Sequence, residues 1–329
     1  MSGNLADGSI TVTTSENDKI QIVLNGVKIA SSSGPAIDIQ SADKCFITLA
    51  EGMQNSLSDG NAFTSEDANA CIYATCDLTI NGSGSLDVSG NYRHGVFSKD
   101  DLVVYGGSIN VSTVEDGLNG KGGQAGEAPS DLGQAPDVQG RMERGGQAPG
   151  GQGGAPGASD SNCLIQINGG KVVLDSQGDG VDSNGNVEIN GGMLLVNGPS
   201  SDGDGVFDYD GEATISGGTV LMAGAVGMAQ SFTSGTQAFA LVQASGSAGS
   251  VIEATDADGN VIATLTATRA FGCVLVSGAG VSDGDTITVS VDGAATMAMA
   301  STTGTSGIAT GGMGGPATGN RPEGQGGPA

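Results

Sequence analysis

LIQINGGKVVL (164–174), VEINGGMLLV (187–196) and ATISGGTVLM (213–222) are three copies of one unit: an apolar strand alternating with period two, a glycine bend, and a second alternating strand. LTINGSGSLDV (78–88) and LVVYGGSINV (102–111) repeat it upstream, and IVLNGVKIA (22–30) is a looser relative. The bend glycines Gly82 and Gly106, Gly169 and Gly191, and Gly191 and Gly217 lie 24, 22 and 26 residues apart. A unit of that length suits one coil of a β-solenoid. A coil cannot bury its own apolar face, but coils stacked about 4.8 Å apart pair every strand and share one core. The fold class is therefore read as all-β, with glycine turning the corners.

A second row precedes the bends: Ala70-Cys71-Ile72-Tyr73, His94-Gly95-Val96-Phe97, Asp116-Gly117-Leu118-Asn119, Asp179-Gly180-Val181-Asp182 and Asp204-Gly205-Val206-Phe207. Ala70, His94 and Asp179 each stand 12 residues before their bend glycine and Asp204 stands 13 before, whereas Asp116 stands 53 before Gly169. The excess is a Gly/Pro/Gln-rich insertion at 122–161, whose composition predicts a flexible loop. Residues 1–224 are thus assigned to the repeat ladder. Residues 225–303 alternate differently, with a hairpin signal at Asp258-Gly259, and are assigned to a β-rich C-terminal cap. Residues 304–329 form a Gly-rich tail expected to be disordered.

Composition narrows the functions. Thirty-six acidic against 11 basic residues give a net charge of −25, which opposes nucleic acid and anionic membranes and favours a cation as partner. Aromatics make up 3% of the chain and tryptophan is absent, so a broad sugar- or base-stacking platform is not indicated. The five cysteines lack CxxC spacing and read as small buried hydrophobes. No apolar run approaches the length of a membrane span, and Met1-Ser2-Gly3 does not begin a signal peptide. An extracellular or cell-surface location is inferred, with the export signal already removed.

Alternation assigns faces within the second row. Ile72, Val96, Leu118, Val181 and Val206 make an aliphatic column that points inward, which sends Tyr73, Phe97, Asn119, Asp182 and Phe207 outward. Asp116, Asp179 and Asp204 stack in a third, acidic column. Carboxylates at coil spacing repel unless neutralised, and calcium, which takes six to eight oxygens at about 2.3–2.6 Å, suits them best. The candidate metal ligands are Asp116, Asn119, Asp179, Asp182, Asp202, Asp204, Asp208 and Asp210. The competing reading is a set of solvated turn residues with local Asx hydrogen bonds.

His94 is the only histidine, which excludes His-based triads and multi-His zinc sites. It is read either as a ladder residue on the acidic rim or as a substrate contact. Tyr73, Phe97 and Phe207 are read as packing beneath a loop or as a narrow sugar-contacting strip. Lys99 and Lys121 hold equivalent positions beside the carboxylates, as salt-bridge partners or as weak candidates for a catalytic base; no other catalytic residue is proposed.

GPAIDIQSADKCFITLAEG (34–52), NYRHGVFSKDDLVVYGGSI (91–109), GDGVDSNGNVEINGG (178–192), VNGPSSDGDGVFDYDGEATISGGT (196–219) and GMAQ (227–230) resemble a family of secreted bacterial carbohydrate-binding proteins. The resemblance spans roughly residues 20–300. It implies a right-handed parallel β-helix like that of pectate lyases, binding to cellulose and polygalacturonate, and calcium between coils at Asp116, Asp179, Asp182, Asp204, Asp208 and Asp210. This chain departs from it in the long insertion and in Ala74-Thr75-Cys76-Asp77, which stands where another coil reads Ser98-Lys99-Asp100-Asp101. The leading expectation is a non-catalytic, calcium-dependent polysaccharide-binding module whose metal offsets the charge and bridges an acidic sugar. The alternatives are a calcium-dependent polysaccharide lyase, weakened because Arg93 is the only arginine of the ladder outside the insertion, and a self-associating surface fibre or adhesin subunit.

Overall fold

The structure, a computed structural model, describes residues 1–65, 67–122 and 163–304. The insertion assigned to 122–161 and the tail assigned to 304–329 lie almost wholly outside the described residues. Every regular element described is a β-strand, and most are joined in parallel ladders.

Three ladders are visited in rotation. The first runs through Lys19–Leu24, Lys44–Leu49, Asp77–Gly82, Leu102–Val104, Leu164–Ile167, Asn186–Ile189 and Ala213–Ile215. After each bend the chain enters the second, from Val27–Ala30 through Gln54–Ser58, Ser85–Gly90, Ser108–Thr113, Lys171–Ser176 and Met193–Asn197 to Thr219–Gly224. The third is a separate seven-stranded sheet of Ile10–Thr13, Ile37–Ser41, Ala70–Ala74, His94–Ser98, Leu118–Gly120, Val181–Ser183 and Phe207–Tyr209. The repeat is therefore bend, second strand, turn row, as the sequence copies suggest. Register resumes across the insertion, with Leu102 opposite Ile165.

The bends need glycine for two reasons. Gly170, Gly192 and Gly218 sit at φ of +81°, +80° and +93°, and a Cβ on Gly191 would stand 2.7 Å from the Asn168 carbonyl of the bend below. Inside the three ladders lies one continuous aliphatic core, from Ile22 to Leu275. All five cysteines are reduced and buried.

Beyond Gly224 the pairing changes hand. Ser234–Gly246 continues the stack in parallel, but Phe271–Ser277 runs antiparallel to it and to Thr219–Gly224. Val251–Thr255 and Val261–Thr266 form the hairpin signalled by Asp258-Gly259, within a four-stranded antiparallel sheet. That sheet packs a second core against the outer faces of Leu195 and Leu221. Arg269 fastens the two parts, donating to the carbonyls of Ser176, Asn197 and Gly198 and pairing with Asp175 at 2.5 Å.

The turn row departs from the sequence reading at its last member. Val181 pairs with Phe207, not Val206, and Asp182 pairs with Asp208. The extra residue before Gly205 slips the register by one, and in a strand one residue exchanges faces. Phe207 therefore joins the inward column and is fully buried, touching Tyr209 and Phe232. It is not available as a sugar contact.

Candidate functional site

The outward column of the seven-stranded sheet reads, strand by strand, Thr11, Asp38, Tyr73, Phe97, Asn119, Asp182 and Asp208. Its chemistry changes along the stack. At the far end, carboxylate oxygens of Asp116, Asp179 and Asp182 lie within 4.8 Å of one another. Asp116 and Asp182 are buried and Asp179 is half-buried. A cation held about 2.4 Å from each ligand spans at most about 4.8 Å between opposed oxygens, so this spacing fits one ion.

Protein groups already crowd the cluster. Asn119 Nδ2 donates to Asp116 Oδ2 at 2.6 Å and to Asp182 Oδ2 at 2.9 Å, while Lys121 Nζ reaches Asp182 Oδ2 at 2.5 Å. His94 Nδ1 stands 2.9 Å from Asp116 Oδ2. The backbone N–H of Asp179 donates to Asp116, and that of Gly205 donates to Asp179. Asn119 is fully buried, yet its Oδ1 has no hydrogen-bond partner among the described residues. Rotating this amide would turn that orphaned oxygen toward the carboxylates, where it could serve as a fourth oxygen ligand to a cation.

These surroundings separate the three acids. Burial would push the Asp116 carboxyl up, but the hydrogen bond and charge of His94, with Asn119 and the Asp179 N–H, outweigh it and hold it below the ordinary value. Burial pushes Asp179 up to about 8, against the Gly205 N–H and with the neighbouring charges of Asp116, Asp182 and Asp208. Burial likewise lifts Asp182 to about 6 although Lys121 pulls it down. Burial would lower Lys121 too, but Asp182, Asp116 and Asp179 together raise it above a free lysine. A lysine so paired stays protonated at neutral pH and is no base.

The remaining sequence candidates are scattered. Asp208 sits beside Asp182 but its Oδ1 accepts from Gln230 at 2.7 Å. Asp202 is exposed and accepts from the Gly227 N–H, and neither it, Asp204 nor Asp210 is among the three clustered acids; Asp204 leaves the acidic column because the register sets Gly205 opposite Asp179. His94 is buried between Asp116 and Glu115, so it braces the cluster and offers no open face to a substrate. Tyr73 and Phe97 stack at 5.0 Å between centroids and are covered by Phe63 and Ala68, which is packing beneath a loop. Lys99 is exposed and faces elsewhere, into a groove.

Two features escaped the sequence reading. Asp77, Asp100 and Asp101 form a second acidic group, with Lys44 paired to Asp77 at 3.3 Å; the alignment of Asp77 with Asp101 is visible once Leu78 is set against Leu102. The other is the groove itself, about 830 Å³, over the near end of the column. No motif announces it.

Residues 1–124 match the profile of a family described as a carbohydrate-binding domain-containing protein. Over 115 residues the chain is 39% identical to a carbohydrate-binding domain-containing protein of Acetivibrio thermocellus, a stretch that is 33% of this chain and 40% of the relative. The chain thus matches less than half the length of that relative. It is also similar to a solved structure described as the polysaccharide lyase-like protein from C. thermocellum, gadolinium derivative, at 26% identity and a TM-score of 0.48, covering 67% of this chain and 79% of that one. The matched interval 1–124 contains every residue lining the groove and one of the three clustered acids, Asp116.

Proposed function

We propose that this chain is a non-catalytic polysaccharide-binding module of the cell surface, folded as a right-handed parallel β-helix, in which calcium occupies the Asp116–Asp179–Asp182 cluster and bridges to an acidic glycan. The three rotating parallel ladders support the helix, and parallel crossovers are almost always right-handed. Similarity of residues 1–124 to a carbohydrate-binding family supports the polysaccharide.

The observation that carries the metal is the close approach of three carboxylates in a poorly hydrated site, with an orphaned amide oxygen beside them. The donors are all oxygen, the set a hard cation prefers, and calcium's wider coordination leaves places for water or a uronate carboxylate. Lys121 then serves as the counter-charge, and His94 as the Asp116 contact, that hold the cluster when no ion is bound. The ion would supply the positive field that lets a chain of net charge −25 approach a polyuronate.

The test is calorimetric titration of polygalacturonate into the protein in calcium and again in chelator, with absorbance of unsaturated product followed on the same samples. Heat in calcium alone, without growth of absorbance, is the expected result. Heat unchanged by chelation would remove the metal from the reading, and growing absorbance would make the protein a lyase.

A further inference from the structure

Thr11, Asp38 and Tyr73 floor the groove at the near end of the outward column. Its volume of about 830 Å³ falls within the range of small-molecule sites, about 300–1,000 Å³. One wall is built by three surface segments tied in series: the Ser32 N–H donates to Asp7 Oδ1, and the Thr64 N–H donates to the Ser33 carbonyl, both at 3.0 Å. Gln40, Thr75 and Lys99 form the opposite side. Phe63 and Ala68 close the groove toward Phe97, so it does not run on into the acidic cluster. Asp38 and Asp182 are four strands apart, about 19 Å at the usual strand spacing.

The lining selects a ligand class. It carries three carboxylates, Asp7, Asp38 and Asp67, against the single ammonium of Lys99. Asp38 accepts from Gln40 Nε2 at 2.8 Å and Asp67 from the Ser65 hydroxyl at 2.7 Å, so each keeps acceptor sites to spare. An acceptor-rich wall matches a ligand rich in hydroxyl donors. The ring of Phe63 adds a small apolar surface against which the C–H face of a sugar can lie. A uronate brought here would meet like charge, and none of the acidic clusters among the described residues lies in this groove.

We propose that this groove is a second glycan site, which takes an uncharged hexose or pentose chain without calcium. The assignment rests on the polysaccharide-binding reading above but is independent of the metal centre.

The test titrates cellohexaose, mannohexaose and xylohexaose, and separately polygalacturonate, into the full chain in calcium and in chelator, and repeats both with Thr11→Trp and Gln40→Ala. Thr11 is exposed on its strand, so the indole fills the groove with little disturbance of the core, and thermal melting of each variant confirms folding. At least one hexaose gives heat in both buffers; Thr11→Trp abolishes it, and Gln40→Ala weakens it about 2- to 10-fold, the worth of one hydrogen bond. Polygalacturonate binding is unchanged in both variants. Absence of heat from every hexaose, loss of hexaose heat in chelator, or full binding by folded Thr11→Trp would each overturn the proposal. Hexaose heat that persists while polygalacturonate gives none upholds the groove and sinks the metal-centre reading alone.

Discussion

The two ends of one column of side chains, borne by one sheet, have opposite chemistry. Thr11 and Asp38 stand at an open groove with a surplus of acceptors, whereas Asn119 and Asp182 stand in a crowded, half-dry cluster where each acceptor competes for a donor. Between them the stacked rings of Tyr73 and Phe97 occupy the same column. A parallel stack forces equivalent residues to about 4.8 Å, so the column amplifies whatever it repeats: rings stack, and carboxylates demand a counter-charge. The backbone is common to both ends; the difference lies in which surface segments cover it.

The largest effect expected concerns where that column ends. If Phe207 belongs to the inward face, Phe207→Ala leaves a cavity among Tyr209, Phe232 and the aliphatic core and destabilises the protein by about 3–5 kcal/mol in urea unfolding. A loss below about 1 kcal/mol, accompanied by weaker glycan binding, would return Phe207 to the outward column and undo the register on which the comparison stands.

That register also marks the limit of what the sequence reveals. The bends were legible because glycine at positive φ and a period of two are local properties, visible in LIQINGGKVVL without any partner strand. The inward column was legible from Ile72 to Val181 for the same reason. It failed at Val206 because the one-residue offset between that coil's Asp-Gly-Val motif and its strand register is invisible until the strands are paired, and Asp204 left the acidic column with it. Burial of Tyr73 and Phe97 depends on Phe63 and Ala68 folding over them, a tertiary contact without a pattern. The groove is hidden for the same reason, since Asp7, Ser33 and Thr64 meet only in space.

A next test concerns the groove wall. Asp59 is buried at the root of that wall and accepts from the Asn91 N–H at 2.5 Å, while its Oδ2 has no partner among the described residues. Burial pushes its carboxyl up to about 6, despite those backbone hydrogen bonds. The native state therefore holds more protons than the unfolded chain between about pH 4 and 6, and stability falls as pH rises through that window, by up to about 3 kcal/mol. Asp59→Asn keeps the acceptor and removes the charge, so its stability profile is flatter over the same window. An unchanged slope would show that the wall root is wet.

At the other end, calcium bound as proposed would compete with protons for the same carboxylates. With Asp179 near 8 and Asp182 near 6, stability in chelator falls as pH rises toward 8, because the native cluster prefers to be protonated. Calcium reverses the loss, so its stabilisation grows from pH 5 to pH 8 and reaches about 2.7 kcal/mol at a hundredfold excess over Kd. Asp182→Asn removes most of it. Equal shifts of Tm at both pH values, or an undiminished shift in Asp182→Asn, would mean that calcium sits elsewhere, with the Asp77–Asp100–Asp101 group the next place to look.

The smallest effect probes the boundary between the ends. Tyr73 lines the groove with one side and stacks on Phe97 with the other, so Tyr73→Phe keeps the stack and deletes only the hydroxyl. Burial raises that phenol to about 12, with Asp38 and Asp67 adding to it, so it remains an un-ionised donor at any working pH. Stability should then change by less than about 1 kcal/mol, and hexaose affinity should fall by less than about tenfold, the range of one neutral hydrogen bond. Calorimetry with both glycans reads the distinction. A matching fall in polygalacturonate affinity would mean that the aromatic pair transmits between the two ends, and they would have to be treated as one site.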